Sequence, residues 1–201
     1  MTGLFDLSGK VALITGGAQG LGRMISEGLL KAGATVAITS RKEDVCNTAA
    51  AEMSSLGVCI PLPCDLSSPE AAVDLANRLR AACGDKLHIL VNNAGKTWGG
   101  PVDNYPDKAW PGVMMVNVQA PFTLVRELLG ALEAAGTPDD PARVINIGSV
   151  AGLKTARLSA YSYSASKAAI HMLSRDLAGD LAARNINVNA LVPGFFPTKM
   201  T

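Results

Sequence analysis

An excess of charge of either sign is missing from this chain. Its 18 Lys and Arg against 17 Asp and Glu leave a formal net charge of +1. The basic residues are dispersed, so the sequence carries no electrostatic footprint for nucleic acid or for an anionic lipid surface. Small molecules are the partners to expect. Cysteine is scarce as well: Cys46, Cys59, Cys64 and Cys83 are irregularly spaced and form no CxxC pair. That spacing suggests neither a zinc site nor a disulfide framework, no metal is expected, and reduced thiols fit a cytoplasmic compartment. Long apolar runs are also absent. The N-terminal "MTGLFDLSGKVALITGG" has no basic region followed by a long apolar one, and Gly16 and Gly17 interrupt its hydrophobic stretch, so no signal peptide is read. No segment reaches the roughly 20 apolar residues that span a bilayer; the chain is expected to be soluble, with no membrane partner. Polar low-complexity tracts and repeats of solenoid period are missing too, which removes disorder and repeat architectures.

What is present is the composition of a globular protein, with 48% hydrophobic and 17% charged residues in 201, enough for a single domain over residues 1–201. Six short runs read as strands that are mostly apolar on both faces: "KVALIT" (10–15), "ATVAIT" (34–39), "VCIPLP" (58–63), "LHILVN" (87–92), "RVINIG" (143–148) and "INVNAL" (186–191). Such strands belong to a buried parallel sheet. Amphipathic helical stretches alternate with them, ended by Gly33, Gly57 and Gly84 in C′-like positions. Ser67 with Glu70 makes a possible capping box, and Pro69 sits where a first turn tolerates it. Helices are expected over about 107–132 and 161–184, and "GTPDDPA" (136–142) reads as a surface loop. The alternation predicts an α/β fold, a doubly wound parallel sheet of Rossmann-like type with right-handed crossovers.

The first strand runs into "TGGAQGLG", where Gly16, Gly20 and Gly22 follow Thr15 at the start of a helix. Glycines there let a pyrophosphate approach the backbone, and the helix N-terminus supplies oriented N–H groups with partial positive charge. The second strand ends in "TSRK". An acid at that point holds the ribose hydroxyls of NAD, whereas a basic residue accommodates a 2′-phosphate. Ser40, Arg41 and Lys42 stand there, so NADP(H) is expected over NADH.

Further along, "YSYSASK" sets Tyr163 four residues ahead of Lys167, which puts phenol and ammonium on one helical face. A free phenol has a pKa of about 10, and a neighbouring cation favours the phenolate. Such a pair serves as surface packing or as a proton-transfer device. Tyr161 is no alternative, because its partner at i+4 is Ala165.

Taken in order, "TGGAQGLG" (15–22), "CDL" (64–66), "NNAG" (92–95), "VNV" (116–118), "GSVAG" (148–152), "YSASK" (163–167) and "PG" (193–194) give a sequence that resembles the short-chain dehydrogenase/reductase family. The resemblance spans nearly the whole chain. It implies hydride transfer between a nicotinamide and a carbonyl or secondary alcohol, with Tyr163 as general acid or base. Lys167 would hold the nicotinamide ribose, and Ser149 would hydrogen-bond the substrate oxygen, with Ser159 as its fallback. The interval from Ser149 to Tyr163 is one residue longer than is commonest in the family, so a bulged loop is expected between them. Asn117 would help hold a relay water through its backbone. Gly16, Gln19, Gly20, Leu21 and Gly22 would cradle the phosphates, Asp65 and Leu66 would flank the adenine, and Asn92, Ala94 and Gly95 would border the cofactor, with Pro193 and Gly194 beyond the last strand. Gln19 stands where many NADP-dependent members carry a basic residue, which leaves phosphate recognition mainly to Arg41.

Within the family the sequence is most similar to NADPH-dependent 3-oxoacyl (β-ketoacyl) reductases, including the rhamnolipid-synthesis branch. Trp98, Leu153 and Phe195 are candidates for the substrate side, beside Lys96, Thr97 and Phe196. A sugar-acid or polyol dehydrogenase, a xenobiotic carbonyl reductase, and a non-catalytic nucleotide-binding or oligomer-forming subunit are the alternatives. By the same resemblance the family's substrate-covering segment is expected beyond Thr201, so the sequence reads as a C-terminally shortened form or a fragment. A homodimer or homotetramer is implied, pairing through the two long helices with Ala165, Ala168 and Ala169 permitting close approach.

Overall fold

The computed structural model describes residue 3, residues 5–155, residues 158–194 and residue 196. All six expected strands form: β1 (Val11–Ile14), β2 (Thr35–Ile38), β3 (Cys59–Pro61), β4 (Ile89–Asn92), β5 (Ala142–Ile147) and β6 (Ile186–Leu191). They pair in parallel in the order β3-β2-β1-β4-β5-β6. The order reverses between β1 and β4. In open sheets of this kind the ligand crevice opens at that switch point, beyond the carboxyl ends of the strands.

The helices are α1 (Gly20–Lys31), α2 (Glu43–Met53), α3 (Pro69–Cys83), α4 (Ala109–Met114), α5 (Ala120–Glu127), α6 (Leu129–Ala135) and α7 (Tyr161–Leu181). Alternation along the strands divides the core in two. Ala12, Ile14 and Val91 pack with Leu30 and Met53 of α1 and α2, whereas Leu13 and Leu90 pack with Leu75, Leu79, Leu124 and Leu181 of α3, α5 and α7. Burying one such aliphatic side chain contributes about 2 kcal/mol, while an exposed ion pair contributes about 0–1 kcal/mol. The two apolar faces, rather than surface pairs such as Arg23–Glu27, therefore hold the sheet.

Three details differ from expectation. The helix expected over 107–132 is broken into α4, a π-helical turn at Met115–Gln119, α5 and α6. Pro121 has no N–H to give the carbonyl of Asn117 four residues earlier, which stops a regular α-ladder from running through. The cap of α3 is Ser68 rather than Ser67: its side chain accepts from Ala71 N at 3.3 Å. Pro69 then falls at the first helical position, where its missing N–H leaves no bond unmade. α7 ends at Leu181, and a 3-10 turn (Ala182–Arg184) closes on Asn185 at φ 56° before β6.

Candidate active site

The turn between β1 and α1 is built around Thr15. Its buried hydroxyl accepts from Asn93 N at 3.0 Å and Ala94 N at 2.9 Å, which lashes the end of β1 to the chain leaving β4. Asn93 completes the joint by donating Nδ2 to the carbonyls of Thr15 and Gly16 at 2.9 and 3.2 Å. Gly16 adopts φ +66°, and a Cβ on Gly22 would lie 2.3 Å from Gly16 O. Helix α1 can therefore approach the strand end only with glycine at that position. Gln19, exposed and extended, precedes α1 without a side-chain cap, and no acid occupies the first turn. The N-terminus of a twelve-residue helix, with Gly20 and Leu21 in its first turn, is thus left to an anion.

At the end of β2, Ser40 is half-buried, and Arg41 and Lys42 are exposed. Asp65 is exposed too, whereas the Leu66 side chain is buried in the core, so only its backbone is available to a ligand. At the end of β4, Ala94 is half-buried and Gly95 exposed. Asn92 is buried and starts a polar chain through the sheet: Asn92 Nδ2 donates to Asn146 Oδ1 at 2.8 Å, and Asn146 Nδ2 donates to Ser174 Oγ at 2.9 Å. Asn92 Oδ1 is buried and has no hydrogen-bond partner among the described residues.

Helix α7 carries the expected pair. Lys167 is 5% exposed; its Nζ donates to Ile147 O at 2.6 Å and lies 5.6 Å from the centre of the half-buried Tyr163 ring. Burial without a carboxylate partner lowers the Lys167 pKa to about 8. The ammonium has three protons and spends one on Ile147, so donors are left over beside the tyrosine. Ser149 follows β5, and its Oγ accepts from Ala151 N at 3.1 Å. That hydroxyl gives its own proton to no acceptor among the described residues, so it can donate to a substrate oxygen. Its turn is held close: a Cβ on Gly152 would lie 2.5 Å from the Lys167 carbonyl carbon. Pro193 O accepts from Val150 N at 3.1 Å, which fixes the segment after β6 against the same turn, with Gly194 exposed beside it. Ser159, just before α7, is exposed at φ 48°, and its carbonyl accepts from Gly100 N, which ties it to the loop after β4.

Asn117, in the π-helical turn, is 2% exposed. Its Oδ1 accepts from Lys96 N at 2.8 Å, and its Nδ2 donates to Lys96 O at 2.9 Å and Ser166 Oγ at 2.8 Å. The side chain thus splices the loop after β4 onto α7.

The substrate candidates are not gathered in one place. Trp98, 40% exposed, lies on the loop after β4, where Tyr105 holds its carbonyl at 3.1 Å. Leu153 instead lines a cavity of about 330 Å³ between α7 and β6, with His171 and Val188. Phe196 is half-buried, and Phe195 lies outside the described residues. Sequence reasoning missed Asn93, Tyr105 and His171. The last had a readable signal, since His171 stands four residues after Lys167, the same step that separates Lys167 from Tyr163.

The glycine turn, the open α1 N-terminus, exposed Arg41 and the spare donors of Lys167 suit a phosphorylated dinucleotide. The family model described as short chain dehydrogenase matches residues 10–201. The rhamnolipids biosynthesis 3-oxoacyl-[acyl-carrier-protein] reductase of Pseudomonas aeruginosa is 47% identical over 197 residues, covering 98% of this chain and 77% of that protein. The 5-keto-D-gluconate 5-reductase of Escherichia coli (strain K12) is 32% identical over 202 residues, covering 100% and 77%. Among solved structures, the Pseudomonas aeruginosa RhlG/NADP active-site complex matches with a TM-score of 0.96 at 46% identity, over 100% of this chain and 78% of that one.

Proposed function

The chain belongs to the short-chain dehydrogenase family, and from that premise we propose that it reduces the ketone of a 3-oxoacyl thioester with NADPH. The observation that carries this reading is the buried Lys167 ammonium, 5.6 Å from the ring of Tyr163 and bound to Ile147 O. When bound, NADPH supplies the hydride to the carbonyl carbon. Tyr163 gives its phenolic proton to the carbonyl oxygen as that oxygen becomes an alcohol. The Lys167 charge stabilises the phenolate left behind, and its remaining donors hold the nicotinamide ribose. Ser149 donates its unspent hydroxyl proton to the same substrate oxygen and so favours the charge that develops there. The Asn117 carbonyl, denied an N–H by Pro121, is available to a water that returns a proton toward Lys167.

The α1 N-terminus, with Gly16, Gln19, Gly20, Leu21 and Gly22, holds the pyrophosphate. Ser40, Arg41 and Lys42 receive the 2′-phosphate, Asp65 and the Leu66 backbone flank the adenine, and Ala94, Gly95, Pro193, Gly194 and the backbone of buried Asn92 border the cofactor. The relative named for 3-oxoacyl reduction and the structure named as an NADP complex support this substrate and cofactor. Exposed Trp98 and Leu158, on adjoining loops, offer an apolar approach suited to an acyl chain. A 5-keto sugar acid is the second reading, favoured by the reductase named for that substrate.

Following NADPH absorbance with a 3-oxoacyl thioester and with 5-keto-D-gluconate separates the two. The proposal expects a higher kcat/KM for the thioester; a preference for the sugar acid overturns it. We further assign the protein to the cytoplasm, as a homodimer or homotetramer. Exposed Phe122 of α5 and Met172 of α7 support the assembly, and sedimentation velocity would read it as the mass of two or four chains.

A further inference from the structure

Two side chains of α7 grip the exit of β5 one peptide apart. Lys167 Nζ donates to Ile147 O at 2.6 Å, and one helical turn later His171 Nε2 accepts from Ser149 N at 3.3 Å. His171 is 5% exposed, and a Cβ added to Gly148 would lie 2.1 Å from its Nε2. The glycine before the serine therefore lets the imidazole sit directly under the Gly148–Ser149 peptide. The preceding peptide, Ile147–Gly148, is held at both ends, because its carbonyl accepts from Lys167 and Gly148 N donates to Leu191 O of β6 at 2.7 Å.

Only a neutral ring with its proton on Nδ1 can accept at Nε2. Nδ1 is buried and has no hydrogen-bond partner among the described residues. A buried donor left without an acceptor is costly, and such a group in a folded protein calls for a reason. Burial, Lys167 and Arg175 together lower the His171 pKa, which keeps the ring neutral. The other residues lining the adjoining cavity, among them Leu153, Ser174, Val188 and Asn189, bring no charge to oppose them.

We propose that His171 is a positioning residue for Ser149: its neutral imidazole takes the Ser149 N–H and so aims the serine hydroxyl at the substrate oxygen. This rests on the reading of Ser149 as donor to that oxygen. With the N–H held by His171 and the Oγ accepting from Ala151 N, Ser149 is fixed at both ends and its hydroxyl proton alone is free. Protonation of His171 would set donor against donor and release the peptide.

The test compares the full chain with Ser149→Ala, His171→Leu and His171→Gln, measuring kcat, the KM for NADPH and melting temperature. Gln is chosen because its Oε1 can accept where Nε2 does. His171→Leu is expected to lose kcat by on the order of tenfold to a hundredfold, the scale of a small misplacement of a reacting group. Its KM for NADPH should stay within about twofold of wild type, since uniform binding is untouched. His171→Gln should recover most of the lost turnover, and any decline in wild-type kcat as pH falls below the ordinary imidazole range should flatten in it, because Gln does not titrate.

A His171→Leu variant with full kcat beside an impaired Ser149→Ala overturns the positioning role and leaves the Ser149 reading intact. An unimpaired Ser149→Ala removes that reading and the proposal with it. Equal losses in His171→Leu and His171→Gln, tracking their melting temperatures, would show that the ring only fills space.

Discussion

Lys167 shows what a single residue costs the fold and what it provides. Its ammonium is buried with one carbonyl for a partner and a pKa lowered from 10.5 to about 8. Between those two values the unfolded chain binds more protons than the folded one, so stability must rise with pH across that window. Without nucleotide, the urea-unfolding free energy of wild type relative to Lys167→Met is expected to rise from pH 8 to pH 10.5 by up to about 3 kcal/mol. A difference that is flat with pH would show that the ammonium is not desolvated. Below pH 8 the group is charged, which is the form that supports the Tyr163 phenolate. Arg41 is the residue to which the proposed function gives the choice of cofactor. Arg41→Asp exchanges a partner for the 2′-phosphate for one that suits ribose hydroxyls. Its ratio of NADPH to NADH affinity should fall by on the order of tenfold to a hundredfold, the scale of a lost charge-assisted hydrogen bond. An unchanged ratio, read by calorimetry, would remove Arg41 from the site.

At the scale of elements, the turn from β1 into α1 is a joint that only glycine allows. Gly22 brings α1 against Gly16 O and Asn93 Nδ2, both closer to a hypothetical Cβ than any real contact allows. Gly22→Ala should therefore lower stability by about 1–3 kcal/mol, as overpacking does, and weaken NADPH binding with it. Thermal unfolding with and without NADPH checks both; an unaltered melting temperature would mean that the turn yields easily. This joint was half legible in the sequence. The glycine spacing announced it, but although Asn93 lies in the "NNAG" motif, nothing local shows that it ties the turn together from 78 residues away. The first five strands were legible as short, mostly apolar runs, and β6 by its alternation of Ile186 and Val188 with Asn187 and Asn189. The broken helix before β5 was not, since Pro121 reads locally as a possible helix start and only the π-helical turn shows that it interrupts one. Ser67 and Ser68 were indistinguishable by composition; the preference of Pro69 for the first helical position decided between them.

On the scale of the whole molecule, the strand order brings distant segments to one edge of the sheet. The turn after β1, the loops after β2 and β4, and the turn after β5 all leave from carboxyl ends, and α7 passes under the last of them. Tyr163 and Lys167 were readable as a pair because one helix carries both. Ser149 was identified by resemblance, and its hold on α7 through His171 depends on a contact across 22 residues that periodicity cannot reveal. The substrate side was the least legible: Leu153 lines the α7–β6 cavity, while Trp98 stands on the loop after β4. Apolar side chains on separate loops have no shared pattern in sequence from which their assembly could be read.

In the proposed mechanism Tyr163 delivers the proton in a carbonyl reduction whose cofactor site stands independently of it. The measurement that tests this most directly is turnover of a 3-oxoacyl thioester by Tyr163→Phe, paired with calorimetric titration of the same protein with NADPH. The expected result is NADPH binding within about threefold of wild type and a loss of kcat of about a hundredfold or more, the scale of a removed general acid. A variant that binds NADPH and turns over at the wild-type rate would contradict it.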